Sequence, residues 1–200
     1  MSTRFTLVRH AVTPWNAQRR IQGQSDIPLA PEGIAQATAW AAALSGLDAT
    51  LIVSSDLRRA VQTARILNEP HGLPVRPDER LREQDWGTWV GLTACDIDRD
   101  HAAELAAQAE LGWDFRPPGG ESRREVLARS LAALADAAVA APDGHVLVVA
   151  HLGVVKCLLY HLLDCDFLPG QTPFVASRAL HRLRLESAQL SIETMNEALP

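Results

Sequence analysis

The stretch FTLVRHAVTPWN, Phe5 to Asn16, decides how the chain is read. A mostly apolar run passes directly into Arg9-His10, and a turn-like Thr-Pro-Trp-Asn follows. An apolar run without alternation fits a strand buried on both faces, as in parallel sheets. Two readings of His10 are open: a strand-end side chain facing solvent, or one held by a rigid strand for chemistry. A second strand of the same kind, HVLVVAH, ends in His151. In open parallel sheets ligands bind beyond the carboxyl ends of strands. If the two strands are neighbours, both imidazoles arrive at that edge.

Around these two strands, further strands and helices alternate. PEGIAQATAWAAALSG opens with Pro31 and Glu32 and ends at Gly46, which are helix start and stop signals. ATLIVSS reads as a strand, and DLRRAVQTARILNE as a helix stopped by Pro70. Residues 92–111 are helical by propensity with a weaker apolar stripe. Ser122 and Glu125 form a capping box for a helix over 123–140, whose apolar face includes Leu127, Leu131 and Leu134. GVVKCLLYHLL is a further helix. RALHRLRLE and QLSIETM alternate apolar with polar, as strands with one exposed face do. The terminal EALP is expected to be loose. This order predicts an α/β fold, a three-layer αβα sandwich with a mostly parallel central sheet. With no repeat, linker or low-complexity tract, residues 1–200 are expected to form a single domain.

Composition narrows the partners. Hydrophobic residues make up 47% and charged residues 22%, ordinary for a globular protein, and the net charge is −5. That balance argues against nucleic acid, whose phosphate backbone calls for a basic face. A small phosphorylated ligand needs only a local cluster of cations. No apolar run reaches membrane-span length, and the start MSTRFTLV does not resemble a signal peptide. The three cysteines, Cys95, Cys157 and Cys165, suggest neither a disulfide framework nor a zinc site, so a cytoplasmic protein with reduced thiols is expected. The seven histidines show no metal-binding spacing.

The third strand end adds cations. LIVSSDLRRA passes into a helix whose first turn carries Arg58 and Arg59. Guanidiniums match phosphate oxygens, and a helix N-terminus favours anions. Adjacent helical positions point about 100° apart, so at most one of the pair faces a site there.

Taken in order, LVRHAVTPWN, RRIQGQSDIPLAPEGIAQA, SSDLRRAVQTA, LREQDWGTWVG, PGGES and VVAHLGVV resemble the successive signatures of the histidine phosphatase superfamily, in its phosphoglycerate-mutase-like branch. The resemblance runs from Phe5 to Val155. It implies that His10 is a nucleophile phosphorylated on a ring nitrogen, and that Arg9, Arg59 and His151 complete the phosphate pocket. It selects Arg59 over Arg58. It further implies that Asn16 touches the phosphate, that Gln22 and Gly23 contact the rest of the substrate, and that Glu83 donates the proton to the leaving group.

The chemistry is consistent with these types. Phosphoryl transfer rests on positioning and on stabilising charge over the equatorial oxygens. Two arginines and a cationic His151 would supply that charge with no metal and no cofactor. The His10 imidazole must be neutral, with one nitrogen free and the other donating to a backbone carbonyl. Glu83 must hold a proton in the substrate complex.

The sequence also departs from the family pattern. Ala11 and Leu152 stand where glycine is usual, Val12 where glutamate is common and Lys156 where arginine is frequent. The backbone N–H of Leu152 is expected at the phosphate, with its side chain adding bulk there. Trp86, Trp89, Trp113 and Phe115 are candidates for lining the pocket, with core packing as the other reading.

The implied activity is a metal-independent phosphatase acting on small phosphomonoesters through a phosphohistidine. The alternatives are a cofactor-dependent phosphoglycerate mutase and a non-catalytic phosphate-binding domain. Against the mutase, Glu83 is followed by Gln84, Asp85 and Trp86, where the family's mutases resemble one another in Arg-His-Tyr. The segment from Leu92 to Glu121 also has only Arg99 and Arg116 as cations, among seven carboxylates.

Overall fold

The computed structural model describes residues 2–170 and 173–200. Strand β1 (Ser2–Arg9) lies beside β4 (His145–Ala150) in parallel, with Arg9 opposite Ala150. β4 in turn pairs in parallel with β2 (Leu51–Ser54), and β2 with the short β3 (Val75–Pro77). On the other side β1 pairs antiparallel with β5 (Ala179–Glu186), and β5 with β6 (Gln189–Ala198). The sheet order is β3-β2-β4-β1-β5-β6. The sheet is therefore mostly parallel, with an antiparallel margin built from the two alternating segments. β3 ends in Pro77, which blunts that edge against further pairing.

Side chains alternate across the sheet and meet a helical layer on each face. Phe5, Leu7, Leu51, Val53, Val146 and Val148 pack against α6 (Arg123–Ala140) and α7 (Leu152–Leu162). Val8, Ile52, Leu147 and Val149 pack against α2 (Pro31–Ala43) and α3 (Arg58–Asn68). Burial on both faces is why β1 and β4 read as unbroken apolar runs. The short α1 (Pro14–Ala17) follows β1 directly.

Two local expectations differ from the structure. Residues 92–111 are not one helix. Thr93 and Asp96 form a reciprocal cap that starts α4 (Ala94–Asp100), and α5 (Ala102–Ala109) follows after a break at His101. Neither piece has a wide apolar face, so packing does not hold the two in line. The terminal EALP is not loose: β6 runs to Ala198, Leu199 N–H donates to the Arg178 carbonyl at 3.3 Å, and the Trp40 indole N–H donates to the Pro200 main-chain oxygen at 3.0 Å. Among the described residues no helix is long and apolar enough to cross a membrane.

α2 approaches the loop after β1 closely enough to require glycine. A Cβ on Gly33 would lie 2.0 Å from the Val12 carbonyl oxygen. That carbonyl accepts the Ala30 N–H at 3.0 Å, and the Gln36 side chain accepts the Val12 N–H at 3.0 Å. The helix start thus fixes the backbone two residues beyond His10.

Leu147 is fully buried in the centre of β4. Leu147→Ala should cost about 2–5 kcal/mol in urea unfolding, whereas Val139→Ala, at a position 81% exposed, should stay within about 0.5 kcal/mol. Similar losses at both positions would contradict the placement of β4 at the core.

Candidate active site

The parallel β1–β4 pair continues one residue beyond the strands: the His10 N–H donates to the Ala150 carbonyl at 2.9 Å. His10 and His151 therefore leave the sheet side by side, with ring centroids 5.1 Å apart. Both are buried. Nδ1 of His10 lies 2.7 Å from the Ala11 carbonyl oxygen. A carbonyl only accepts, so Nδ1 carries the proton and Nε2 keeps its lone pair. Burial, with Arg9 and Arg59 adding repulsion, holds the His10 pKa well below its ordinary value. The imidazole is thereby kept neutral and nucleophilic.

α3 brings the second arginine. Arg59 is 0% exposed, and its guanidinium donates to the carbonyls of Gly23 at 2.8 Å and Ser25 at 2.7 Å, leaving Nε buried without a partner. Burial lowers its pKa to about 10, so it stays charged at neutral pH. Arg58 is exposed, as the selection of Arg59 requires. α3 also steadies the loop after His10: Thr63 Oγ1 donates to the Arg59 carbonyl at 2.7 Å and accepts the Ala11 N–H at 3.1 Å. Arg9 Nε is likewise buried and unpartnered.

A cavity of about 370 Å³ opens at this edge. Arg9, His10, Arg59 and Glu83 line it, and so do Asn16, Gln22, Gly23 and Leu152. His151 sits behind His10, and neither of its ring nitrogens has a partner. Asn16 caps α1: its Oδ1 accepts from the Thr13 N–H at 2.9 Å and the Thr13 hydroxyl at 3.0 Å. Its Nδ2 is left for the cavity. Gln22 is buried with Oε1 unpartnered, an acceptor suited to a substrate hydroxyl. Gly23 contributes mainly through its carbonyl, which orients Arg59.

Glu83 is half-buried. Its Oε1 accepts the Gln84 N–H at 2.9 Å and its Oε2 the Gly153 N–H at 3.3 Å. A Cβ on Gly153 would come within 2.2 Å of Oε1, so a larger residue there would push the carboxylate from this position. Arg129, paired with Glu121 at 2.6 Å, also donates to the main-chain carbonyls of Arg80 and Glu83. It fixes the segment that carries Glu83.

One expectation is corrected. His151 is not cationic in the empty site. Burial first, then Arg59, His10 and Arg9, push its pKa well below the ordinary value. Sequence reasoning also missed part of the wall. Of the four candidate aromatics only Trp86 lines the cavity. Trp89 and Phe115 belong to a separate small core with Ile97, and Trp113 packs on Phe167 at 4.7 Å. Arg123, Lys156 and Tyr160 line the cavity without having been foreseen in that role. Lys156 left a signal, as the only Lys, Arg, Asp or Glu in the apolar segment GVVKCLLYHLL.

Comparison with known proteins agrees with this geometry. The family model of the histidine phosphatase superfamily (branch 1) matches residues 5–198. Glucosyl-3-phosphoglycerate phosphatase of Mycobacterium tuberculosis is 43% identical over 169 residues, covering 80% of this chain and 75% of the relative. A probable phosphoglycerate mutase of an Enterobacter species is 38% identical over 194 residues, covering 92% and 81%. A solved structure of mycobacterial glucosyl-3-phosphoglycerate phosphatase superposes with a TM-score of 0.84 at 35% identity, covering 99% of this chain and 100% of the other. The chain belongs to the histidine phosphatase superfamily. Within it, the protein is a phosphatase, a phosphoric monoester hydrolase.

The lowered histidines set a pH dependence. Unfolded, His10 and His151 take up protons near pH 6.5; folded, they resist protonation down to lower pH. Their contribution to stability is therefore complete above about 6.5 and is lost as pH falls below it. Sulfate, a dianion throughout this range, favours the protonated imidazole. Its stabilising effect on Tm should grow from about pH 8 to about pH 5.5 and shrink in His151→Gln. A sulfate effect independent of pH would contradict the assignment.

Proposed function

We propose that His10 is the nucleophile of this phosphatase and that no metal takes part. The carrying observation is the Nδ1–Ala11 hydrogen bond, which leaves Nε2 of a neutral His10 free at a cavity lined by Arg9 and Arg59, with His151 packed beside His10. The substrate phosphate is held by the two guanidiniums and the Asn16 Nδ2. Its negative charge draws His151 toward the protonated state that the empty site resists. Nε2 attacks phosphorus as the bond to the ester oxygen breaks. Glu83 gives its proton to that departing oxygen. Water then attacks the phosphohistidine, passing a proton to the Glu83 carboxylate, and His10 leaves as a neutral imidazole. Arg9, Arg59 and His151 offset the charge on the equatorial oxygens in both steps.

Arg9 and Arg59 at the cavity bring the positive charge that a metal would otherwise supply to the phosphate. Hydrolysis rather than mutase transfer is supported by the relatives and solved structures named as phosphatases. The relatives named for glucosyl-3-phosphoglycerate make a phosphorylated glyceric acid derivative the first substrate to try. We place the protein in the cytoplasm as one catalytic domain spanning residues 1–200. One continuous sheet carrying the site and the free thiols of Cys95 and Cys157 support that reading. The net charge of −5 gives no support to a nucleic-acid partner.

Rapid acid-free quenching during turnover should trap an alkali-stable, acid-labile phosphate on the wild type and none on His10→Ala. Turnover should persist in EDTA. Loss of activity in EDTA restored by a divalent ion, or near-normal kcat in His10→Ala, would overturn the mechanism.

Glu83→Gln should slow alkyl phosphates by about 10²–10⁴-fold and nitrophenyl phosphate much less, because nitrophenolate departs without a proton. Gly153→Ala, which crowds the same carboxylate, should show the same bias. Equal losses on both ester types would assign Glu83 to substrate positioning instead.

A further inference from the structure

Three residues of the active site border a second cavity. Arg9, His10 and Asn16 line the main cavity on one side and a smaller one, of about 110 Å³, on the other. Gln36 and Trp40 of α2, one helical turn apart, wall the smaller cavity, and so do Ser177 and Arg178, the two residues before β5. The phosphatase mechanism makes no use of this space.

Its polar wall is made of donors. Arg9 Nε is buried without a partner. A guanidinium only donates, and its five N–H groups lie along more than one edge, so Arg9 can serve both cavities. The amides of Asn16 and Gln36 are oriented by the main chain. Oδ1 of Asn16 accepts the Thr13 N–H at 2.9 Å, and Oε1 of Gln36 accepts the Val12 N–H at 3.0 Å. Each amide oxygen is therefore occupied, and each NH2 group is left to donate elsewhere.

The same wall has no acid. Among the described residues neither Arg9 nor Arg178 forms an ion pair, whereas Arg182 and Arg184 on the strand that follows each pair with a glutamate. The acid that acts on Arg9, Glu83, belongs to the main cavity. Burial, opposed by Glu83 and reinforced by Arg178, lowers the pKa of Arg9, so the two arginines feel each other's charge. Val12 completes the wall. It stands where glutamate is common in the family, and here that position brings an apolar side chain in place of a counter-ion. Two like charges with no carboxylate between them are costly, and an anion from solution offsets that cost.

We propose that this rear cavity is a second oxyanion seat, formed by Arg9 and Arg178 with the Gln36 amide, for a small tetrahedral dianion of the phosphate type. Its volume is less than a third of the main cavity's 370 Å³ and below the roughly 300 Å³ at which pockets for larger organic ligands begin. It suits a free oxyanion rather than a whole ester. Inorganic phosphate is the ion of this kind that the reaction itself releases, so Arg9 has a second partner to offer the product. That role rests on the phosphatase reading; the binding does not.

Equilibrium dialysis of the protein against radiolabelled inorganic phosphate at neutral pH tests the seat. Two bound phosphates per chain are expected, one in each cavity. Arg178 is exposed, and its side chain makes no hydrogen bond among the described residues, so Arg178→Met should fold. It should weaken one of the two sites at least about tenfold and leave the other. Val12→Glu, which puts a carboxylate into the wall, should do the same; if it does not fold, Arg178→Met decides alone. Arg58→Met, which removes an exposed arginine that lines neither cavity, should leave both sites. A single phosphate unaffected by Arg178→Met, or two that survive it, would overturn the seat. A single phosphate that Arg178→Met removes would support the seat and count against the phosphate pocket at the strand ends. No binding at all would overturn both.

Discussion

The parallel pairing of β1 with β4 is the constraint on which the site depends. It sets Arg9 opposite Ala150 and carries the ladder on to His10 and the Ala150 carbonyl. A slip of one residue would turn every side chain of β1 to the other face. Phe5 and Leu7 would leave the layer of α6 and α7, and His10 would point away from His151. The apolar alternation that stabilises the three layers is therefore the same pattern that aligns the two imidazoles. Stability and reactivity are specified by one register.

The site gathers cations that the fold itself does not neutralise. Arg9, Arg59 and His151 have buried nitrogens without partners, and burial depresses the pKa of each. In most of a protein interior such groups would be paired. Here the neighbouring elements fix them instead. The Gly23 and Ser25 carbonyls hold Arg59, the Ala11 carbonyl holds His10, and Arg129 with Glu121 holds the backbone of Glu83. The donors are organised before the phosphate arrives, so little reorganisation is left for the transition state. The corrected state of His151 belongs to this picture.

The phosphate end was legible in the sequence because each of its residues sits at the end of a regular element. A strand that stops at Arg9-His10, a helix that starts at Arg58-Arg59 and a strand that stops at His151 leave few places for those side chains to go. Arg123 and Lys156 were not legible in the same way. Each lies within a helix, and which face a helix turns to a cavity depends on packing between distant segments. The split at His101 and the tethering of Leu199 and Pro200 escaped for a related reason. Both depend on tertiary contacts, such as that of the Trp40 indole, that local propensity does not carry.

The cations of the main cavity also bear on why hydrolysis and substrate choice can be separated in this architecture. Arg99 and Arg116 are the cations that the segment from Leu92 to Glu121 offers for gripping a substrate acid. In the structure those two arginines answer to Asp96, Asp100 and Glu125, and the cations that line the main cavity beyond the strand ends, Arg123 and Lys156, come from α6 and α7. The strand ends supply the phosphoryl chemistry, which changes little from one ester to another. The helix faces line the cavity beyond the phosphate end, and a substitution there alters no strand register and no nucleophile geometry. Lys156 shares α7 with Gly153, whose N–H and missing side chain seat Glu83. Lys156 and the backbone N–H that seats the Glu83 carboxylate thus lie on one helix. A ligand that touches α7 is placed relative to Glu83 by the helix itself, and binding energy gained far from phosphorus can be used to position the ester oxygen.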